Sequence, residues 1–137
     1  MATLDHLGIS VDHVPGASAQ FDPVLSALGY VRRHDAPDLA YWRQDGLPEI
    51  LLYPARDNAD GPHEHGRVGW QHLAFAVDSR AEVDRVHDIA LDAGWTAVRP
   101  PKEYPRFSDR YYASFVEDDN GIRLEVVHNP PRDASES

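Results

Sequence analysis

Two histidines and one glutamate are the residues whose types and spacing best suit a metal ion. His6 and His72 each begin a short segment of alternating apolar residues, and position 72 follows position 6 at an offset of 66 residues. The segments read DHLGISVD and QHLAFAVD, so the chain contains an internal repeat. Glu125 is a lone carboxylate in the apolar stretch RLEVV. Burying it unpaired would cost several kcal/mol, so it requires a cation or a hydrogen-bonding partner.

Two imidazoles and one carboxylate form a common ligand set for Fe(II), Mn(II) or a similar cation, and they leave positions open for substrate. If two like modules pair about a pseudo-twofold axis, equivalent inward-facing residues converge on that axis. Taken singly, a histidine on a strand is more often a surface or hydrogen-bonded residue, and a glutamate in a terminal strand more often faces water. The symmetric placement of His6 and His72 favours the metal site.

The segments around the two histidines predict the same elements in both halves of the chain. Segments 5–12 and 71–78 alternate in hydropathy, as half-buried strands do. Helical periodicity follows at 17–28 and 80–93, and a glycine stands after each helix, where a left-handed terminator is common. The dipeptide Asp22-Pro23 offers a later start for the first helix, because Asp caps well and Pro suits a first turn.

The rest of each half reads as strands joined by tight turns. Four further strands are expected at 39–43, 49–53, 111–117 and 122–128. Asp45-Gly46 and Asn120-Gly121 are hairpin signals, because these residues tolerate positive φ. Each half is therefore predicted as β-α-β-β, with one more strand possible.

These elements predict one domain over 1–137, made of two modules. Module 1 covers 1–55 and module 2 covers 70–129. The polar segment 56–69, rich in Gly, Pro and His, is expected to be a surface linker. The tail 130–137 is expected to fray.

Composition excludes several classes of function. The formal charge of −10 at pH 7 repels nucleic acid and anionic lipid, so neither is expected as a partner. The chain has no cysteine, which excludes disulfides and thiolate metal sites. No leader-like or membrane-length apolar segment is visible, and a cytoplasmic location is the expectation.

The residues resemble the vicinal oxygen chelate superfamily, which includes glyoxalase I, extradiol dioxygenases, fosfomycin-resistance proteins and bleomycin-binding proteins. The resemblance covers nearly the whole chain and rests on four landmarks, DHLGISV, the segment 25–30, HLAFAV and FVEDDNGIRLE. It implies an α+β fold of paired βαβββ modules forming a curved mixed sheet around a cleft, with metal ligands at His6, His72 and Glu125. Two departures are mild: DDNG stands where the family has Asp-Pro-Asp-Gly, and Gln20-Phe21 stands where it has an aromatic pair.

A fourth ligand would separate glyoxalase-like from dioxygenase-like members, and the repeat leaves its position open. Counting back from Pro54 and Pro130 equates Glu49 with Glu125, whereas counting forward from the two turns gives Ile50. Matching to the family favours Leu51. Glu49 shares a strand face with Leu51, so it is a candidate ligand or general base. The alternative is a carboxylate at the rim.

The segment 100–112 is read as a loop before a strand that could close over a substrate. Arg106 and Arg110 are candidates for binding a carboxylate, and Tyr112 for contacting the substrate. Tyr111 is a candidate proton donor. The alternative for all four is ordinary loop packing. His63 and His65, in the linker, are expected to be exposed rather than to bind a second metal.

Two classes of function follow. The first is an enzyme that uses Fe, Mn, Ni or Zn to bind adjacent oxygens of a small molecule, with lyase, isomerase or dioxygenase outcomes. The second is a metal-free protein that sequesters a small molecule, as bleomycin-resistance proteins do. The strands have more apolar faces than one small core can bury. We therefore expect a homodimer in which each site takes residues from both chains.

Overall fold

The chain folds as two β-α-β-β-β modules in sequence. A computed structural model describes residues 1–57 and 61–131. The elements of the first module are β1 (His6–Val11), α1 (Val14–Ala27), β2 (Val31–Ala36), β3 (Leu39–Arg43) and β4 (Glu49–Pro54). Those of the second are β5 (Leu73–Ala76), α2 (Arg80–Asp92), β6 (Thr96–Glu103), β7 (Tyr112–Glu117) and β8 (Arg123–His128). The predicted α+β class and the module repeat are confirmed. Residues 132–137, most of the predicted tail, lie outside the described residues.

Helix α1 begins earlier than the sequence predicts. Its N-cap is His13, whose ring Nδ1 accepts a hydrogen bond from the Gly16 amide at 3.0 Å. The expected starts at Ala17 or Pro23 are therefore wrong, because an imidazole caps the helix where Ser or Asp was sought. Pro23 lies inside the helix at an exposed position and removes one backbone hydrogen bond there.

Helix α2 matches its prediction to within one residue. Its N-cap is Ser79, whose hydroxyl accepts from the Glu82 amide at 3.1 Å. Both helices are followed by a glycine at positive φ, +96° at Gly29 and +95° at Gly94. Only glycine adopts that conformation without strain, which is why the two glycines end the helices.

The extra strand of each module is β2 or β6, and both lie at sheet edges. The sheet orders are β1-β4-β3-β2 and β5-β8-β7-β6. The predicted loop over 100–112 is wrong for its first four residues, because β6 continues through Pro100 and Pro101 to Glu103. An edge strand tolerates prolines because one side of it needs no backbone donors.

The strand register settles which residue of module 1 corresponds to Glu125. In each sheet the first strand pairs in parallel with the last, and these pairs include Gly8 with Leu51 and Ala74 with Glu125. Gly8 and Ala74 are equivalent in the repeat, so Leu51 occupies the position of Glu125. Glu49 pairs instead with His6.

The core lies between the two helices and the inner faces of both sheets. One cluster of buried residues draws on both modules, and Phe21 of α1 meets Trp95 edge-on with ring centroids 4.9 Å apart. The Trp95 indole N–H donates to the Gln20 carbonyl at 2.8 Å. Because side chains alternate along a strand, each sheet keeps a second face that does not contact the helices. We call this second face the open face. No helix in the described part of the chain is long and apolar enough to cross a membrane.

His87 of α2 predicts a pH dependence of stability. Its side chain is buried and its Nδ1 has no hydrogen-bond partner among residues 1–57 and 61–131. Burial lowers the pKa of His87, with Asp88 and Asp84 opposing the shift. The unfolded chain, with a histidine pKa of about 6.5, therefore takes up a proton before the folded chain does. The free energy of unfolding should fall as pH drops below about 6.5. Urea titrations should show a shallower fall for His87→Leu, and an equal fall would exclude this role.

Candidate functional site

The buried carboxylate of Glu125 and the imidazole of His72 form the centre of the site. Glu125 lies on β8 and is 2% exposed, and His72 lies directly before β5, the neighbouring strand. The His72 Nε2 and the Glu125 Oε1 are 2.9 Å apart. The other ring nitrogen of His72, Nδ1, lies 3.0 Å from the side-chain oxygen of Gln71. The two histidine nitrogens are thus each held by one oxygen, which fixes the ring orientation.

Tyr111 completes the surroundings of Glu125. Its hydroxyl donates a hydrogen bond to the second carboxylate oxygen, Oε2. Burial, together with this hydrogen bond, raises the pKa of Tyr111 above its ordinary value, so the phenol keeps its proton. Phe115 packs edge-on against the His72 ring with centroids 5.5 Å apart. The strand pairs Phe115 with Glu125, so both project from the open face.

His6 is not part of this arrangement within one chain. It begins β1, its side chain is 57% exposed, and its Nδ1 lies 2.7 Å from the Asp5 carboxylate. Across residues 1–57 and 61–131, no three His, Asp or Glu side chains are grouped closely enough to hold a metal ion. The structure therefore brings together His72 and Glu125 of the predicted ligands, and places His6 beside Glu49 on the other module.

The pair of His72 and Glu125 has the spacing that a shared cation requires. Ligand atoms about 2.1 Å from a cation and at right angles to one another are about 3 Å apart. The observed separation of 2.9 Å agrees with this value, and it is also the distance of an ordinary hydrogen bond. A neutral imidazole nitrogen and a carboxylate oxygen also suit the borderline divalent metals. Two of the three expected donors fit a metal ion.

A family model described as the Glyoxalase/Bleomycin resistance protein/Dioxygenase superfamily matches residues 31–126. The chain belongs to this superfamily. The matched range includes His72 and Glu125 and excludes His6.

Similar proteins and solved structures match nearly the whole chain. The protein YqjT of Bacillus subtilis (strain 168) is 23% identical over 124 residues, which cover 90% of this chain and 97% of YqjT. A Bacillus halodurans structure, provisionally named a glyoxalase, has a TM-score of 0.77 and 27% identity, covering 94% and 97% of the two chains. The fosfomycin resistance protein FosX of Listeria monocytogenes has a TM-score of 0.71 and 15% identity, covering 95% of each chain. The last likeness concerns the fold alone.

Other predicted site residues of this superfamily member have structural partners. Arg110 donates from Nε to the Pro130 carbonyl at 2.9 Å and pairs with Asp109 at 2.5 Å. The Tyr112 hydroxyl donates to Asp84 of α2 at 2.6 Å, on the side of the sheet away from Glu125. Arg106 is exposed and lies over the Phe107 ring at 4.7 Å.

The sequence does not single out three residues on the face of Glu125: Phe115, which packs against His72, and Arg99 and Tyr104, which lie farther along that face. The sequence predicts the strand that holds Phe115 but no role for that residue, and it predicts a loop from residue 100 rather than the strand β6 that holds Arg99. Tyr104 packs near Phe115, with ring centroids 5.9 Å apart. Alternation in β7 places Phe115 on the face of Glu125, whereas register shifts on both sides of Arg99 in β6 leave no regular alternation that would reveal Arg99 from the sequence.

An apolar groove separates the first strands of the two sheets. It has a volume of about 480 Å³, and His72 lies in its wall among apolar residues of both modules. Three of the lining residues are strongly exposed: Leu4 at 64%, Val68 at 107% and Trp70 at 81%. His63 also lines the groove and is exposed, as expected of a linker residue, while His65 is half-buried. Exposed apolar residues clustered beside a site are typical of a surface that another molecule covers.

The Tyr111 hydroxyl should contribute measurably to stability. In Tyr111→Phe the Oε2 of Glu125 stays buried and loses its donor, which should lower the free energy of unfolding by about 1–3 kcal/mol. Urea unfolding of the metal-free protein measures this loss. Tyr41→Phe is the control, because Tyr41 is a half-buried tyrosine of the other module. Equal stabilities of the parent and Tyr111→Phe would contradict the proposed contact.

Proposed function

We propose that the protein is a metal-dependent enzyme of the glyoxalase or dioxygenase type that acts on a small molecule with adjacent oxygens. The observation that carries this proposal is the buried pair of His72 and Glu125 at 2.9 Å. A buried carboxylate beside an imidazole, on an open sheet face, suits a divalent cation better than it suits packing. Superfamily membership agrees with the proposal.

Different residues of the chain would bind the metal ion and orient its ligands in such a site. His72 and Glu125 would hold the ion, which supplies Lewis-acid stabilisation of an oxyanion and positions for two substrate oxygens. Tyr111 keeps Glu125 oriented, since its hydroxyl donates to the oxygen that His72 does not contact. Gln71 holds the His72 ring through Nδ1. Phe115 packs against the His72 ring and limits its movement.

His6 of a second copy would supply the third ligand. Its Nδ1 is directed to Asp5, which leaves Nε2 available, and its side chain is exposed. The groove beside His72 exposes Leu4, Val68 and Trp70, which a second copy would cover. In a twofold dimer each chain would give His6 to its partner and receive one in return, so two equivalent sites form.

One observation favours the second candidate function, metal-free sequestration of a small molecule. Both oxygens of Glu125 already have partners, one in His72 and one in Tyr111. The carboxylate is therefore satisfied without a cation, and the apolar groove of about 480 Å³ would then serve as a binding site in itself.

Turnover by metal-loaded protein tests the proposal and distinguishes the reaction types. Hemithioacetals and α-hydroxy acids probe isomerase or lyase chemistry, and oxygen uptake with catechol-like substrates probes dioxygenase chemistry. We expect Glu49→Gln to keep its metal, because Leu51 rather than Glu49 matches Glu125. If Glu49 accepts a proton, this variant loses isomerase turnover, whereas dioxygenase activity should persist. Fully loaded protein that turns over neither class would overturn the enzyme proposal and support sequestration.

A further inference from the structure

The open face of the second sheet carries a row of side chains that leads from Glu125 to a cation. Ala74 pairs with Glu125, Glu125 with Phe115, and Phe115 with Arg99. Residues paired across strands project from the same face. Strands lie about 4.8 Å apart, so the backbones of Glu125 and Arg99 are about 10 Å apart along this row.

A second cation, Lys102, packs against the same aromatic ring as Arg99. The Arg99 guanidinium carbon is 5.9 Å from the centre of the Tyr104 ring, and the Lys102 Nζ is 5.1 Å from it. Both cations are exposed, and neither forms an ion pair with any residue in 1–57 or 61–131. The Tyr104 hydroxyl is buried without a hydrogen-bond partner in the described chain. This end of the face therefore offers two positive charges beside aromatic rings.

The equivalent row of the first module lacks these charges. Its pairings run through Gly8, Leu51, Tyr41 and His34. Leu51 stands in the position of Glu125, Tyr41 in that of Phe115, and His34 in that of Arg99. Among the paired positions of these two rows, a permanent cation occurs only in the row of the second sheet, which also holds Glu125. The difference between the two halves points to a role tied to the site.

We propose that Arg99 and Lys102 bind the anionic end of the substrate, which makes the substrate class a small organic acid with a flat apolar middle. The adjacent oxygens would reach His72 and Glu125, the middle would lie on Phe115, and the acid group would meet the two cations. A guanidinium binds a carboxylate through two parallel hydrogen bonds, which sets the orientation. In a chain of net charge −10, local cations are needed to attract an anion at all. This inference rests on the proposed function for the position of the reacting oxygens.

Binding of matched probes to metal-free protein tests the anion contact separately from any metal. The probes are 2-naphthoate and its neutral analogue 2-naphthamide, followed by calorimetry and by the NMR signal of the Arg99 Nε–H group. We expect naphthoate to bind about tenfold more tightly than naphthamide and to shift that signal. Arg99→Ala should abolish the preference, and Lys102→Ala should reduce it. Arg33→Ala is the matched control, because Arg33 is an exposed arginine on β2, the corresponding edge strand.

A second comparison separates failure of this inference from failure of the proposed function. In Mn(II)-loaded protein, 3,4-dihydroxyphenylacetate should bind more tightly than its methyl ester, and Arg99→Ala should remove the difference. If no metal binds but naphthoate is still preferred through Arg99, the proposed function fails and the anion site stands. Naphthoate that binds no better than naphthamide, or an equal loss of preference in Arg33→Ala, overturns the anion site while leaving the metal site intact.

Discussion

Replacing His72 with alanine should lower the affinity for a divalent cation by more than about 100-fold, since loss of a residue that only supports a ligand already costs about 10–100-fold. The His72 Nε2 is the one nitrogen near the Glu125 carboxylate, at 2.9 Å, among the contacts of the described chain. Without it a cation would keep a single buried protein donor from this chain. Calorimetric titration with Mn, Fe, Ni and Zn measures the loss.

His63→Ala is the control for this loss. His63 is an exposed histidine that lines the same groove, so its removal takes away an imidazole without touching the pair. Metal affinity in His63→Ala should equal that of the parent. If His72→Ala binds metal as tightly as the parent does, the ligand assignment is wrong.

Mixing two inactive variants should restore metal binding if each site takes residues from both chains. His6→Ala and Glu125→Ala should each be unable to load metal as homodimers. A mixed dimer would contain one intact site, with His72 and Glu125 from one chain and His6 from the other. With random exchange of subunits, half of the dimers are mixed, so about a quarter of all sites should recover. Preferential pairing would raise this fraction toward about a half.

The pair His72→Ala and Glu125→Ala provides the matched control for mixing. These residues contact each other within one chain, so every site of the mixed dimer still lacks one of them. No recovery is expected from this mixture. Recovery in both mixtures would indicate contamination or a different site, and no recovery from His6→Ala with Glu125→Ala would contradict a shared site. A monomer by light scattering would contradict it as well.

The order of elements could be predicted because hydropathy patterns are local. The alternation around His6 and His72 and the periodicity of 80–93 depend only on neighbouring residues, and the structure confirms the strands and the second helix. The predicted start of the first helix is wrong because His13 caps the helix through a ring nitrogen. Sequence statistics assign that capping role to other residue types. Strand β6 was missed because Pro100 and Pro101 indicate a loop unless the strand is known to lie at an edge.

Part of the site could also be predicted, because it shows in local sequence patterns. Glu125 stands out in the sequence as a charge among apolar residues, and the repeat brings His72 next to it. Whether Leu51 or Glu49 corresponds to Glu125 depends on the register in which β4 pairs with β1. Local sequence patterns do not encode that register. The role of Tyr111 as the partner of Glu125 rather than of a substrate also depends on how the segment before β7 folds back over the sheet.

Metal content tests the central claim most directly. Protein purified without added metal, then loaded with Mn(II) and desalted, should contain about one divalent ion per chain by elemental analysis, because a twofold dimer has two equivalent sites. His72→Ala treated in parallel should retain close to none. A parent protein that keeps no more metal than His72→Ala would contradict the account, and the buried pair of His72 and Glu125 would then be a hydrogen bond that needs no ion.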